Sequence, residues 1–230
     1  MNVPDLHQNI SRIRNRLSKA IDAAQRAQDS VKLIAVSKTK SAEAIKAVYD
    51  TGQRDFGENY VAEAIEKMSA LESLDICWHF LGPLQSNKTR LVAANFDWIH
   101  SVDRVKIAKR LSEQRPDGLP PLNVCLQVNI PTEPTKSGVA SEAELLDLAL
   151  AVSEMDRLAL RGIMAIPAPA SDLNRQREQF NRIAELLSIP NLPKQMNELS
   201  MGMSGDMEAA VAEGATMVRI GTDIFGARYN

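Results

Sequence analysis

The sequence contains little cysteine and little histidine, which limits the disulfide and metal chemistry it can support. Cys77 and Cys125 are the only cysteines, they lie far apart inside apolar runs, and no Cys-x-x-Cys pair occurs. We therefore expect buried free thiols in a reducing compartment, with a disulfide as the weaker alternative. His7, His79 and His100 are scattered along the chain. Because four clustered ligands are absent, we expect no structural zinc and assign no residue to a metal site.

Long apolar runs and a surplus of either charge are also absent. No window approaches the length of a membrane-spanning helix. Residues 1–17 are polar and amphipathic and lack the apolar stretch of a signal peptide. The 27 basic residues nearly balance the 29 acidic ones, so no basic surface for a nucleic acid is indicated. We expect a cytoplasmic protein that binds neither membrane nor nucleic acid.

The composition is that of one ordinary globular domain. Apolar residues make up 44% of the 230 residues and charged residues 24%. No repeat, low-complexity tract or linker divides the chain, and the proline-containing stretch Pro116–Pro121 is too short for a domain boundary. We predict a single domain over residues 1–230, and a monomer rather than an obligate oligomer, because no long exposed apolar stripe is visible.

Short apolar runs alternate with amphipathic segments after a first helix, in which apolar residues recur every three or four positions from Leu6 to Ile21. Ser141 and Glu144 form a capping box before the clearest later helix. The predicted strands are Lys32–Ser37, Arg54–Gly57, Trp78–Gly82, Trp98–Val102, Asn123–Asn129, Leu160–Ile166, Glu198–Met203 and Met217–Gly221. The predicted later helices are Glu43–Tyr49, Val61–Leu71, Val105–Leu111, Glu142–Met155, Arg175–Leu187 and Met207–Glu213.

This alternation favours an α/β fold with a parallel sheet, because each crossover helix covers one face of the sheet. Eight units in a chain of this length fit a single (β/α)8 TIM barrel with an extra N-terminal helix. An open doubly wound sheet is the competing fold. It is disfavoured because no Gly-x-Gly-x-x-Gly motif follows the first strand.

Two pairs of residues, each a glycine beside a hydroxyl residue, follow the last predicted strands, where barrels of this kind bind phosphate. Ser204-Gly205 follows the seventh strand and Gly221-Thr222 the eighth. Glycine lets the backbone approach a phosphate, and hydroxyls and helix N-terminal N–H groups donate to it. Asp206 weakens this interpretation, because a carboxylate can cap the following helix without a ligand. Simple turns at both places remain an open alternative.

Lys38 and Arg219 are the basic residues that could carry chemistry. Position alone favours a solvated strand end for Lys38, but a desolvated lysine there could form an imine with a phosphorylated carbonyl compound. Arg219 interrupts an apolar run, so it requires either a structural salt bridge or a polar ligand. We expect His79 and His100 to be hydrogen-bonded core residues. Lys136 lies in the polar loop Pro131–Gly138, which could cover the site.

Several long blocks in the same order resemble the pyridoxal phosphate homeostasis proteins, a family with a barrel like that of alanine racemase. The blocks are AVSKTK (Ala35–Lys40), FGENYVAE (Phe56–Glu63), WHFLGPLQSNKTR (Trp78–Arg90), LRGIMAIPAP (Leu160–Pro169) and Leu199–Arg228. The resemblance implies that Lys38 holds pyridoxal 5'-phosphate as a Schiff base. It also implies that Ser204, Gly221 and Thr222 bind the phosphate, together with backbone N–H groups near Gly205. Arg219 would face the pyridine nitrogen, and Asn59 would line the pocket. Contacts from Met164, His79 or Lys136 stay open.

The resemblance also separates this chain from the racemases, whose second domain supplies a tyrosine as the other acid–base group. Two-base racemisation needs a group on each face of the substrate carbon. Tyr49, Tyr60 and Tyr229 are the candidates, and nothing in the sequence places one opposite Lys38. We therefore expect a protein that carries and buffers the cofactor, contributes to vitamin B6 and amino-acid homeostasis, and has no catalytic residue. A cofactor-dependent amino-acid racemase and a Schiff-base aldolase are the alternatives.

Overall fold

The computed structural model describes residues 3–129 and 138–227, with side chains from Asp5 onward. The strands are β1 Lys32–Val36, β2 Asp55–Glu58, β3 Cys77–Phe80, β4 Trp98–Val102, β5 Leu122–Val128, β6 Leu158–Ala165, β7 Glu198–Ser200 and β8 Met217–Ile220. The helices are α1 Val3–Ala23, α2 Ala42–Tyr49, α3 Val61–Ala70, α4 Thr89–Asn95, α5 Val105–Gln114, α6 Glu142–Ser153, α7 Leu173–Glu185, α8 Met207–Ala212 and α9 Thr222–Phe225, with a 3-10 turn at Leu186–Ser188.

The eight strands close into a barrel in chain order, with β8 paired to β1 and every neighbouring pair parallel. The predicted (β/α)8 TIM barrel is therefore confirmed, and each predicted strand overlaps an observed one. The seventh strand is shorter than predicted. It ends at Ser200, and Gly202 then adopts φ +94°, a left-handed conformation that breaks the extended chain.

Two helices were missing from the prediction, α4 and α9. The first has seven residues and the second four, so neither is long enough to show a helical repeat in the sequence. The N-terminal helix compensates for the short α9. It packs against α2, α8 and α9, and so fills the place in the outer ring that a longer helix after β8 would take. Among the described helices, none is both long and apolar enough to cross a membrane.

The predicted capping box at α6 is present with one change. The Ser141 hydroxyl accepts a hydrogen bond from the Glu144 backbone N–H at 3.2 Å. The Glu144 carboxylate, however, accepts from the N–H of Ala140, one residue before the cap, rather than from Ser141 itself.

The barrel interior is partly polar, which the alternation of side chains along the strands shows. Leu33, Ala35, Phe80, Ile99 and Val218 belong to the main core between sheet and helices. Their neighbours in the strands point the other way, into the barrel. An apolar group occupies part of the interior and comprises Ile34, Trp98, Cys125, Met164 and Met217. The polar interior positions are His79, His100, Ser200 and Arg219, all buried.

Candidate functional site

A cavity opens at the carboxyl ends of the strands, and every residue proposed for the site lines it. Its volume is about 320 Å³, within the usual range for small-ligand pockets. The predicted residues that line it are Lys38, Asn59, Ser204, Gly205, Arg219, Gly221 and Thr222. Met164, which stayed open from the sequence, lines the cavity as well. The remaining lining residues, which were not predicted, are Val36, Thr39, Lys40, Leu81, Ile166, Met203 and Gly226.

The residues on both sides of Lys38 are anchored by buried or half-buried carboxylates. The Ser37 hydroxyl donates to Glu58 Oε1 at 2.6 Å, and Glu58 is fully buried. On the other side, the backbone N–H of Thr39 donates to Glu63. Thr39 has φ +64°, which a threonine rarely adopts, so this short segment is held by its surroundings rather than by its own preference.

Lys67 joins these carboxylates from helix α3. Its ammonium group donates to Glu58 Oε1 at 2.7 Å, to Glu63 and to the carbonyl of Ser37 at 2.8 Å. Burial raises the pKa of Glu58, and the contact with Lys67 counters that shift only in part. This group was not predicted, although the i,i+4 spacing of Glu63 and Lys67 on one helix is a signal in the sequence for that pair.

The pairs Ser204-Gly205 and Gly221-Thr222 present donors to the cavity that have no acceptor among the described residues. Among residues 3–129 and 138–227, no acceptor meets the backbone N–H groups of Ser204 and Gly205 or the hydroxyls of Ser204 and Thr222. No side chain caps the start of α9 at Gly221. A Cβ at Gly205 would have no atom within 4 Å, so the backbone there is uncovered. This is the donor set that an anion would use.

Asp206 does not cap α8, contrary to the alternative weighed from the sequence. No side-chain cap bond is made at this helix start, and the carboxylate accepts from the backbone N–H of Met203 instead. Burial raises the pKa of Asp206. The carboxylate therefore stabilises the loop after β7 and leaves the first N–H groups of the helix to other partners.

Arg219 is 6% exposed and forms no salt bridge among the described residues, so the structural alternative weighed from the sequence is not seen; Asp206 acts on it only through its charge. Its guanidinium donates from Nη1 to Ser200 Oγ at 2.8 Å and from Nη2 to the carbonyl of Ala165 at 3.0 Å. Burial lowers its pKa to about 10, so the group remains a cation at neutral pH. A buried cation at the cavity wall favours an electron-rich or anionic ligand.

Behind Arg219, a line of buried polar groups crosses the barrel. Ser200 Oγ lies 2.7 Å from His100 Nδ1, and His100 Nε2 lies 2.9 Å from His79 Nδ1. His79 Nε2 lies 3.0 Å from Asp55 Oδ1, whose other neighbour is the ammonium of Lys32 at 3.1 Å. Both histidines are fully buried and hydrogen-bonded, as predicted, and His79 does not line the cavity. Lys136 lies outside the described residues.

Three groups of metal-ligating type come together at the amino ends of β2 and β3, which the scattered positions in the sequence did not indicate. Asp55, Cys77 and His79 each place one ligand atom within 4.8 Å of the others. Burial raises the pKa of the Cys77 thiol. Cys77 and Cys125 are both free, so the disulfide alternative is wrong. Cys125 is buried as expected, whereas Cys77 is only half-buried.

The tyrosines considered as a second acid–base group do not line the cavity where they are described. Tyr60 is 50% exposed and borders a neighbouring cavity that shares Asn59 with the first. The Tyr49 ring stacks under the guanidinium of Arg54 at 3.9 Å. Tyr229 lies outside the described residues. The described lining contains no carboxylate, histidine, cysteine or tyrosine, and its ionisable members are Lys38, Lys40 and Arg219.

Comparison with known proteins agrees with the resemblance that the sequence blocks suggested. The pattern of the family described as "Alanine racemase, N-terminal domain" matches residues 5–229. The pyridoxal phosphate homeostasis protein of Pseudomonas aeruginosa is 55% identical over 221 residues, covering 96% of this chain and 95% of its own. That of Escherichia coli K12 is 51% identical over 228 residues and covers 97% of both chains. This chain belongs to the pyridoxal phosphate homeostasis protein family.

Solved structures extend the likeness of this family member to three dimensions. PipY of Synechococcus elongatus, solved without pyridoxal phosphate, superposes with a TM-score of 0.82 at 39% identity, covering 96% of this chain and all of that one. PipY with pyridoxal phosphate bound gives 0.77 at 40% identity over 91% of this chain and all of that one. Alanine racemase of Corynebacterium glutamicum shares the fold alone, with a TM-score of 0.71 at 17% identity over 99% of this chain and 62% of that one.

Proposed function

We propose that the protein binds pyridoxal 5'-phosphate at Lys38 as a Schiff base and carries and buffers it, contributing to vitamin B6 and amino-acid homeostasis. The observation that carries the proposal is that all seven residues assigned from the sequence line one cavity, with a lysine on one side and unpartnered donors on another. The family relatives are named for pyridoxal phosphate homeostasis, and one solved relative has pyridoxal phosphate bound.

The residues of the cavity fit this cofactor in three ways. Lys38 supplies the primary amine with which the aldehyde of the cofactor would condense. The hydroxyls of Ser204 and Thr222, with the N–H groups at Ser204 and Gly205, supply donors for a phosphate and have no described protein acceptor. The side chains of Val36, Leu81 and Met164 provide apolar walls for a ring.

Arg219 bears on whether the site holds the cofactor or uses it. Bound pyridoxal phosphate supplies an electron-withdrawing ring that is strongest when its nitrogen is protonated. Arg219 remains a cation at neutral pH, so a pyridine nitrogen beside it would stay unprotonated. The described lining also offers no carboxylate, histidine or tyrosine to serve as a second base. Both features favour a carrier with little turnover.

The test of Lys38 is reduction with borohydride of the protein loaded with pyridoxal phosphate, followed by peptide mass analysis. We expect one fixed cofactor per chain on Lys38 and none on a Lys38→Ala protein. Lys40→Met is the matched control, because Lys40 lines the same cavity but its ammonium group donates to the carbonyls of Gly226 and Ala227. The Lys40→Met protein is expected to keep the adduct on Lys38. Equal occupancy in Lys38→Ala would refute the assignment.

The alternatives to a carrier are tested on the same preparation. Incubation with L-alanine and other L-amino acids, followed by chiral analysis, should show no sustained racemisation; rapid cofactor-dependent racemisation would replace the carrier with a racemase. A protein that is yellow and releases pyridoxal phosphate on denaturation excludes the aldolase. Large exposed apolar side chains lie on separate helices, such as Leu91, Leu150 and Leu173, which supports a monomer and is tested by light scattering.

A further inference from the structure

We propose that Asp55, at the amino end of the barrel, is a positioning residue for Arg219 in the cavity at the other end. The two are joined by four consecutive hydrogen bonds through Ser200, His100 and His79, with donor–acceptor distances of 2.8, 2.7, 2.9 and 3.0 Å. The chain passes through strands β8, β7, β4, β3 and β2, so it crosses the barrel interior. Only the final consequence, for cofactor binding, rests on the proposed function.

The two ends of this chain, with neutral imidazole rings between them, fix the direction of every bond within it. Arg219 has only N–H donors, so Ser200 Oγ accepts from it. Asp55 is an acceptor when ionised; burial opposes its ionisation, but the contacts with His79 and Lys32 together outweigh burial and lower its pKa. Ser200 must then donate to His100 Nδ1, His100 Nε2–H to His79 Nδ1, and His79 Nε2–H to Asp55.

The protonation of both histidines follows from burial and from the same bonds. Each ring is fully buried, which favours the neutral form with one proton. Asp55 requires the His79 proton on Nε2, so His79 Nδ1 accepts from His100 Nε2–H and His100 Nδ1 accepts from Ser200.

Burial lowers the pKa of both histidines. At His79 the hydrogen bond and charge of Asp55 and the charge of Asp97 oppose that shift, and Lys32 adds to it. At His100 the neighbouring His79, Arg219 and Lys32 lower the pKa further. The chain is thus an ordered line of donors and acceptors, in which each bond polarises the next. Its Asp55 end has two further contacts, Cys77 Sγ at 3.5 Å from His79 Nε2 and the Lys32 ammonium at Asp55.

Such a chain positions a group but does not conduct a proton to the cavity. Its cavity end is a guanidinium whose pKa of about 10 keeps it protonated at neutral pH. The chain orients the Ser200 hydroxyl, which donates its proton to His100 and therefore accepts from Arg219 with a lone pair. Together with the Ala165 carbonyl it takes two of the five N–H groups of the guanidinium and fixes the plane in which the others lie.

The proton order also argues against a metal ion at Asp55, Cys77 and His79. A metal on His79 Nε2 would move the His79 proton to Nδ1 and reverse His100. Both Arg219 and His100 would then donate to Ser200 Oγ, and the Ser200 proton would lose its acceptor. The Lys32 ammonium, 3.1 Å from Asp55 Oδ1, would in addition face the metal.

The first test is nitrogen-15 NMR of the imidazole groups in histidine-labelled protein without cofactor. The chain has three histidines, so the spectrum of a His7→Gln variant contains only the signals of His79 and His100. We expect the Nε2–H tautomer for both His79 and His100, unchanged between about pH 6 and 8 and after addition of Zn²⁺. An Nδ1–H tautomer or a charged ring at either residue, or loss of the His79 proton to Zn²⁺, would overturn the proposal.

The second test breaks the chain at two places and measures the binding of pyridoxal phosphate. We expect Asp55→Ala and Ser200→Ala each to raise the dissociation constant about tenfold, and the double variant to be no weaker than either single one. In Asp55→Ala the His79 and His100 tautomers should no longer be uniform. Roughly hundredfold weakening in the double variant would mean two independent effects and would contradict the proposal.

Asp97→Asn is the matched control for loss of a carboxylate at this end of the barrel. Asp97 accepts from the backbone N–H of Trp78 at 2.8 Å and influences His79 by its charge, but it lies outside the chain. We expect unchanged tautomers and binding within about twofold of the parent. Control binding as weak as in Asp55→Ala would refute the proposal. If Asp55→Ala fails to fold, Ser200→Ala and the NMR spectra still decide. The spectra also separate this proposal from cofactor binding, because they need no cofactor.

Discussion

Replacing Lys67 by methionine should destabilise the protein strongly, and the loss should shrink at acid pH. Lys67 is 6% exposed and its ammonium group is hydrogen-bonded to Glu58, Glu63 and the Ser37 carbonyl. Methionine keeps most of the side-chain volume but leaves the fully buried Glu58 without a counter-charge. Removing one partner of a buried ion pair costs about 3 to 5 kcal/mol, and we expect the lower half of that range because Glu63 is partly exposed.

The pH dependence follows from the pKa of Glu58. Burial already raises that pKa above the ordinary value of 4.5, and removal of Lys67 raises it further. A carboxyl whose pKa is higher in the folded state binds protons more tightly there, so folding weakens as the pH rises from the unfolded pKa through the folded one. In Lys67→Met the pH range between the unfolded and the folded pKa of Glu58 extends further towards neutral pH. Part of the lost folding stability should therefore return at about pH 5, where Glu58 is more protonated.

The assay is urea unfolding followed by circular dichroism at about pH 7.5 and about pH 5. Lys46→Met is the control, because Lys46 also pairs with an acidic residue four positions away, Asp50, but both side chains are about half exposed. An exposed pair of this kind contributes less than about 0.5 kcal/mol. The reasoning would be refuted if Lys67→Met lost less than about 1 kcal/mol, or lost the same amount at both pH values.

Two further outcomes follow from other contacts. Ser204→Ala and Thr222→Val should each weaken binding of pyridoxal phosphate about tenfold but leave binding of pyridoxal, which has no phosphate, within about twofold in a fluorescence titration; equal weakening of both ligands would contradict a phosphate site there. Gly162→Ala should lower the urea midpoint strongly or prevent folding, because its Cβ would lie 1.9 Å from the carbonyl oxygen of Glu198 in the neighbouring strand; Gly118→Ala, whose Cβ would meet no atom within 4 Å, should leave the midpoint nearly unchanged.

The sequence predicts most of the fold because the barrel strands are short, apolar and regularly separated by helices. The prediction is weaker where an element is too short for a repeat, as in α4 and α9, or where a strand is ended by one backbone conformation, as at Gly202. A capping box could be recognised at Ser141, but the shift of the Glu144 bond to Ala140 depends on the path of the chain before the helix.

The seven proposed site residues could be named from the sequence because its blocks resemble a known family. Their positions, at strand ends or within an apolar run, are compatible with the site but left structural alternatives open. The residues that hold these side chains in place could not be named from the sequence. Lys67 lies 29 positions from Lys38, and Asp55 lies at the opposite end of the barrel from Arg219. Such pairs depend on how the strands align when the barrel closes, and neither local propensity nor periodicity contains that information. His79 and His100 could be recognised as buried residues, but not as neighbours.

The buried charges of this barrel lie beside Lys38 or at Arg219, where they have a geometric role. Lys67 and Glu58 are buried beside the strand-end segment that carries Lys38, and Arg219 is buried with hydroxyl and carbonyl partners but no carboxylate in the described chain. Apolar residues at these positions would give equal or greater stability at lower desolvation cost. They would not hold a strained Thr39 or orient a guanidinium. The two polar groups therefore serve the geometry of the cavity, and the apolar core around the barrel supplies the stability that they cost.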